Sequence, residues 1–334
     1  MPKIIAETAW HHEGDYTFMQ QLVSAILKDS KADIVKLHIT LNFDEYMHKS
    51  HDSYNLLSRW LFNENQWSEL VKAIKLSNKE LMLLVNDSEA IDFASKVNPN
   101  YIELHSSCLN VPHLQNAVNN KFKSDVKIVL GVGGSTLDEI ENAVNIFSNR
   151  ETILMFGFQN YPTSFSDVNL KKILKIQSMY SKCLFGYADH TAWNSDDNEL
   201  ISLLVAANNM DYVEKHVTYK YGEERTDFSA AVSIDMFNNL SKKLEKLESL
   251  KGNGSTDLND AEKNYSIYGP NKMAGIAKKN IGKGQVLMSE DIYFSRINKK
   301  TSMSQVDLKT KIGEKLKKNI AQNDVFDHQH FKQE

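Results

Sequence analysis

Two cysteines, Cys108 and Cys183, are all that 334 residues contain. They cannot build a disulfide framework, and neither stands in a CxxC pair that would read as a zinc site. Long apolar runs are missing too. Stretches such as 81–85 fall far short of the ~20 residues a membrane-crossing helix needs, so no membrane partner is expected. The opening residues, MPKIIAETAW, show no basic segment leading into an apolar core. That speaks against a secretory signal and for a cytoplasmic chain. Neither sign of charge dominates: 39 Lys and Arg face 43 Asp and Glu, a net charge of -4. Nothing global therefore points to nucleic acid or an anionic membrane. What remains is ordinary globular composition, 41% hydrophobic and 25% charged. The length exceeds a typical single domain, although an α/β barrel alone can reach that scale.

Short β-rich runs recur at 3–9, 34–40, 80–86, 101–107, 127–133, 152–158, 183–189 and 211–218. Most are apolar on both parities, as parallel strands buried on both faces should be. Helical spacing fills the gaps. Phe18, Leu22, Ala25 and Ile26 share one helix face, and Thr136-Leu-Asp-Glu139 is a capping box before another helix. Eight alternating units match a (β/α)8 TIM barrel, with a doubly wound open sheet as the structural rival. The barrel explains better why polar residues gather at nearly every strand end. A helix at about 234–250 follows, then a soft polar linker at 251–264. The tail, 265–334, reads as a small β-rich domain that is too short to be very stable alone. The expected domains are thus a catalytic barrel at 1–250, the linker, and a cap at 265–334.

Barrel active sites form at the C-terminal ends of the strands. Read in order, those ends carry Glu7; Lys36 and His38; Asn86 and Asp87; Glu103 and His105; Gly131 to Gly134; Gln159; Asp189 and His190; Glu214 and His216. Side chains alternate along a strand, so Lys36/His38, Glu103/His105 and Glu214/His216 each project to one face. Such charged pairs are expensive to bury unless satisfied. A single polar strand end is more often a cap or a solvated group. His190 and His216 together, each beside an acid, favour a metal or catalytic site. His11-His12 divides evenly between a loop and a site. The Gly131–Gly134 turn could cradle a phosphate, but reads slightly better as a tight turn.

Taken together, these residues resemble the sialic acid synthase family, the N-acetylneuraminate synthase-like enzymes. Glu7, His12 and Gly14 resemble the family's opening AE…NH.G, and Val35-Lys36 its VK.Q. Tyr161-Pro-Thr163 and Asn169-Leu170 resemble YPTP…NL; GYADHT at 186–191 resembles GYSDHT; EKHVT at 214–218 resembles EKHFT. Thr226-Asp227, with Ser229, resembles the acidic loop that follows, and 277–296 the start of an antifreeze-like SAF domain. The resemblance covers essentially the whole chain. It implies a barrel with a C-terminal SAF (β-clip) domain, in a domain-swapped homodimer whose tails cover the partner barrels. It also implies condensation of phosphoenolpyruvate with the aldehyde of an amino sugar, giving a 2-keto-3-deoxy nonulosonic acid. By resemblance, His190 and His216 hold a divalent metal, Mn2+ or Mg2+. Glu7, Lys36 and Glu214 are expected to be catalytic, and His12, Lys36, Glu103, His105, Gln159, Tyr161, Asp189 and Asp227 to contact substrate.

This chain departs from the family where phosphate is held. Glu103-Leu-His-Ser-Ser107 stands for KIASG with its phosphate-binding lysine, and Val85-Asn-Asp-Ser88 for STPFD. Ala188, Gly131-Val132, His38 and His11 replace a serine, a serine-threonine pair, a glutamine and an asparagine. The SAF arginine falls near Lys272 or Met273. A carboxylate where a lysine sat repels a dianion by several kcal/mol at ~4 Å and an effective dielectric near ~20. Three functions follow: a divergent synthase still using phosphoenolpyruvate; a metal-dependent aldolase or lyase on the same scaffold without it; and a non-catalytic binding protein. The buried charges argue against the last.

Overall fold

The eight β-rich runs form parallel strands in the computed structural model, which describes residues 1–157 and 160–332. They are β1 Lys3–Glu7, β2 Ile34–Ile39, β3 Glu80–Val85, β4 Tyr101–Leu104, β5 Lys127–Gly131, β6 Thr152–Phe156, β7 Leu184–Ala188 and β8 Tyr212–Thr218. Each pairs with the next, and β1 pairs in parallel with β8 along Lys3 to Glu7. That last ladder closes the sheet into a TIM-type barrel and excludes the open doubly wound alternative. A two-residue strand, β9 Val232–Ser233, adds to the end of β8.

Apolar residues on both parities do two jobs. One parity faces the surrounding helices: Ile4, Ala6, Val35, Leu37, Leu83, Ile128, Leu154 and Val213 pack there against Leu22, Ile26, Leu70, Ile140 and Phe237. The other fills the barrel with Ile5, Ile34, Met82, Tyr101, Val129, Ile153, Met155 and Tyr212. Continuing that inward parity toward the C-terminal ends brings Glu7, Lys36, Glu103 and Glu214 to the top of the plug. The first helix spans Tyr16–Asp29 and buries Phe18, Leu22 and Ile26, with Ala25 half-buried. The Thr136/Glu139 capping box starts the helix Leu137–Ile146.

The strands are shorter than their sequence runs, mostly at the C-terminal end; β7 and β8 also begin one residue late. β4 stops at Leu104 rather than 107, because the chain turns there with Cys108 N–H donating to the His105 carbonyl at 2.8 Å. β5 stops at Gly131 rather than 133, where Ser135 N–H returns to the Val132 carbonyl. Phe158, the expected end of the sixth run, lies outside the described residues.

The chain divides into two compact units, Met1–Gly252 and Asn253–Glu334. The second has its own core, including Ala277, Ile281, Leu287, Leu308, Leu316, Ile320 and Phe326. Its regular β-structure is sparser than the composition suggests: among the described residues β10 Ala274–Ala277 pairs antiparallel with β11 Ile292–Ser295. Isolated bridges such as Ile281–Ile320 and Val286–Lys315 hold the rest. The stretch expected to be a soft linker contains a short helix, Asp260–Tyr265, because Asn259 and Glu262 form a capping box.

One glycine controls how closely the end of β6 approaches the end of β7. Gly157 has φ +117, and a Cβ there would lie 2.0 Å from the Ala188 carbonyl oxygen. Gly157→Ala should therefore lose roughly 2–4 kcal/mol of stability. Urea unfolding would read this, and an unchanged midpoint would show that the two strand ends can part freely.

Candidate active site

Register builds the site. On β8, β1 and β2, His216 lies opposite Glu7 and Glu7 opposite Lys36. One strand earlier in the closed ladder, Ala188 of β7 lies opposite Glu214. Lys36 Nζ is within 2.8 Å of Glu103, 3.0 Å of Glu214 and 3.2 Å of Glu7. All four side chains are buried. An ammonium has three N–H donors, and here each meets a carboxylate. His105 Nδ1 lies 3.7 Å from the other oxygen of Glu103.

Glu7 and Glu214 are shifted in opposite directions. Burial pushes Glu7 up, but Lys36 and His216 outweigh it and hold Glu7 well below the usual carboxylate range. Burial and the neighbouring carboxylates Glu7 and Glu103 push Glu214 well above that range, against the pull of Lys36. Glu214 is thus the acid that keeps a proton, and Glu7 the one that is ionised. Burial disfavours the Lys36 ammonium, yet Glu103, Glu214 and Glu7 raise it well above its ordinary value.

Beside this cluster stand two imidazoles. His190 Nε2 and His216 Nε2 are 3.2 Å apart, with Glu7 Oε2 3.4 Å from His216 Nε2. Tyr161 OH lies 3.3 Å from His216 Nδ1 and donates to the Asp227 carbonyl. Burial, then the neighbouring His216, pushes His190 down to about 3. A neutral imidazole is the form that binds a metal. Among the described residues no group of three or more His, Cys, Asp or Glu is placed to hold a metal ion. The two converging imidazole nitrogens supply a pair of donors of the kind a divalent ion takes, its other positions being left to water and substrate.

These groups line one cavity of ≈ 300 Å³ at the C-terminal end of the barrel. Of the sequence-expected site residues, Glu7, Lys36, Glu103, His105, Tyr161, His190, Glu214, His216 and Asp227 all border it. Two others do not. His12 accepts from Gly14 N–H at 3.1 Å, and its ring packs 4.4 Å from Phe62, in a buried aromatic group behind Trp10. Asp189 falls on the outward parity of β7. Its oxygens are taken by Thr191, Ser202 and Lys215, the last at 3.1 Å, so it anchors the loop bearing His190. Gln159 lies outside the described residues.

Sequence reasoning left Trp10, Tyr46, Ser106, Met155 and Phe156 out of the site and gave His38, a strand-end group, no role; all six line the cavity. His38 and Met155 were readable, since they share the inward parity of Lys36 and Ile153. Trp10 and Tyr46 come from loops and short helical turns, where no period announces direction. The backbone N–H of Trp10 is fixed by Asp227 Oδ2 at 3.0 Å.

The sequence pattern of the NeuB family matches residues 22–256. The chain belongs to the NeuB family. It is 24% identical over 340 residues to an N,N'-diacetyllegionaminic acid synthase of Legionella pneumophila, covering 95% of this chain and 91% of that one. Its fold matches a crystal structure of N-acetylneuraminic acid synthetase from Leptospira borgpetersenii, with a TM-score of 0.71 at 22% identity, covering 79% of this chain and 90% of that one. A Chromobacterium violaceum structure, provisionally named spore coat polysaccharide biosynthesis protein E, matches with a TM-score of 0.83 at 17% identity and 98% coverage of both chains. The relative in Legionella is named as a sugar-acid synthase. No helix among the described residues is long and apolar enough to cross a membrane.

Two more buried histidines in this NeuB barrel give a pH signature. Burial pushes His12 and His38 each down to about 3, from 6.5. Asn86 Nδ2 donates to His38 Nε2 at 2.7 Å, which suits the neutral ring. The unfolded chain binds protons below pH ~6.5 that these folded residues refuse, so their stabilisation is complete above that pH and drains as pH falls. Each should lose roughly 2 kcal/mol by pH 5. Urea midpoints at pH 7.5 and pH 5 would measure the fall, and His38→Gln should lessen it. A profile that His38→Gln leaves unchanged would show that this ring does not resist protonation.

Proposed function

We propose that the barrel forms carbon–carbon bonds in the manner of the sugar-acid synthases. A three-carbon enol donor adds to the open-chain aldehyde of an amino sugar and yields a 2-keto-3-deoxy nonulosonic acid. The observation that carries this reading is the meeting of Glu7, Glu214, Lys36 and two converging imidazoles in one cavity, with Glu7 biased toward its charged form and Glu214 toward its neutral one. Its relative in Legionella is named for making such a sugar acid.

In this reading Glu214 donates a proton to the aldehyde oxygen as it becomes a hydroxyl. Glu7 and Asp227 accept hydrogen bonds from substrate hydroxyls, and Trp10 and Tyr46 wall the cavity against water. Lys36 keeps the three carboxylates from repelling one another. His190 and His216 would hold a divalent metal, Mn2+ or Mg2+, which when bound polarises the substrate carbonyl. Residues 1–250 form the catalytic domain, 251–264 the linker and 265–334 an SAF-like cap, and the enzyme works as a cytoplasmic homodimer.

The donor has two readings. Phosphoenolpyruvate, implied by the resemblance, would release phosphate. A donor without a phosphoryl group, as in a metal-dependent aldolase or lyase, is favoured by the 2.8 Å pairing of Glu103 with Lys36.

Purified enzyme with Mn2+, an amino-sugar panel and either donor should give a sugar acid by mass spectrometry, and no product with any pair overturns the reading. A His190→Ala/His216→Ala variant should lose its bound metal by elemental analysis and at least ~100-fold in rate. Equal metal content would sink the metal assignment. Light scattering should find a dimer, and a monomeric full-length chain would refute the homodimer.

A further inference from the structure

We infer that Glu103 sets the donor class: the site takes an enolisable carbonyl compound without a phosphoryl group and turns away a phosphorylated enol. This rests on the carbon–carbon reading above and chooses between its two donors.

Lys36 is the single Lys or Arg among the described residues lining the cavity. Its ammonium hydrogen-bonds both oxygens of Glu214, at 3.0 and 3.1 Å, and ion-pairs with Glu103 at 2.8 Å and Glu7 at 3.2 Å. A phosphate would meet a cation already compensated by carboxylates. Lys36, Glu103 and Glu214 lie inside strands and Glu7 closes one, all at 5% exposure or less, so the cluster is held in a desolvated place. Releasing Lys36 to a phosphate would leave buried carboxylates unpaired.

The other possible anion cradle is partly occupied. The Gly131–Gly134 turn leads to a helix with a capping box at its start: Thr136 Oγ1 accepts from Glu139 N–H at 3.3 Å, and Glu139 Oε2 accepts from Thr136 N–H at 2.7 Å. A carboxylate thus already sits at that helix N-terminus. At Gly131 itself a Cβ would lie 2.8 Å from Ser106 N, so backbone closes that side of the turn.

A donor without phosphate has no leaving group and must be enolised. A proton passes from the carbon next to the carbonyl to a carboxylate of the cluster. That carbon then bonds to the aldehyde carbon, and the aldehyde oxygen, which gains the electron pair, takes up a proton. Nothing is oxidised or reduced, no group leaves, and the step runs backwards as a lyase. A cavity lined with carboxylates suits such proton transfers, and suits a trianionic donor poorly.

The test uses full-length enzyme with Mn2+, pyruvate and phosphoenolpyruvate as probes, and the variants Glu103→Gln and Glu103→Lys. By calorimetry, wild type should bind phosphoenolpyruvate at least ~100-fold more weakly than Glu103→Lys, with Glu103→Gln between them. By NMR in D2O, wild type should exchange the methyl protons of pyruvate. Tight binding of phosphoenolpyruvate by wild type that neither variant improves, or no exchange of the pyruvate protons, overturns the inference. The wild-type measurements decide even if Glu103→Lys fails to fold. A sugar acid formed with phosphate release would sink the donor assignment and leave the carbon–carbon reading standing. Proton exchange without product from any sugar would do the reverse.

Discussion

A single buried ammonium organises the top of this barrel. Three carboxylates on three strands point into the same low-dielectric space, and without a cation between them they could not all be there. Lys36 lies within ion-pair distance of all three. The pattern of charge follows from that arrangement: the carboxylate that gains most from Lys36 and His216 ionises, and the one crowded by its fellow acids stays protonated. Chemistry that needs an acid and a base in one cavity is thereby met without any group leaving its strand.

Behind the cluster a second network keeps the metal-binding candidates in place. Lys215 and Asp189 lie on the outward faces of the same strands that present His216 and Ala188 inward. Lys215 Nζ bonds to the Asn198 carbonyl at 2.6 Å and to Asp189 at 3.1 Å. The loop after β7 is tied to β8 from outside while His190 meets His216 inside. Alternation along two strands thus supplies a reacting layer and its support at once.

Much of this was legible before any coordinates. Eight β-rich runs separated by helical spacing pointed to a closed barrel, and polar strand ends marked where the cavity would lie, because burial imposes both patterns. Parity placed Glu7, Lys36, Glu103, Glu214 and His216 correctly. It was not applied strictly enough to Asp189, whose neighbour Ala188 takes the inward position. His12 looked like a site residue because it stands in a motif, yet a loop has no period, and packing against Phe62 and Trp67 turned its ring away. Trp10 was overlooked for the same reason. That Glu103 reaches Lys36 from β4, past the side chains of β3, is a consequence of barrel curvature that no linear pattern encodes.

The β1–β8 ladder has a consequence for how the molecule comes to exist. Glu7 is among the first residues made, and His216 and Glu214 are among the last of the barrel. Until β8 has emerged and paired with the N-terminal strand, Lys36 lacks one of its partners and the nascent chain holds an incomplete, poorly compensated charge cluster. Loop closure over nearly the whole barrel must precede that ladder, which makes the seam a late and slow event in folding. The last ladder to form is also the one that brings Glu214 and His216 beside Glu7, so a chain stopped short of β8 lacks one wall of the cavity.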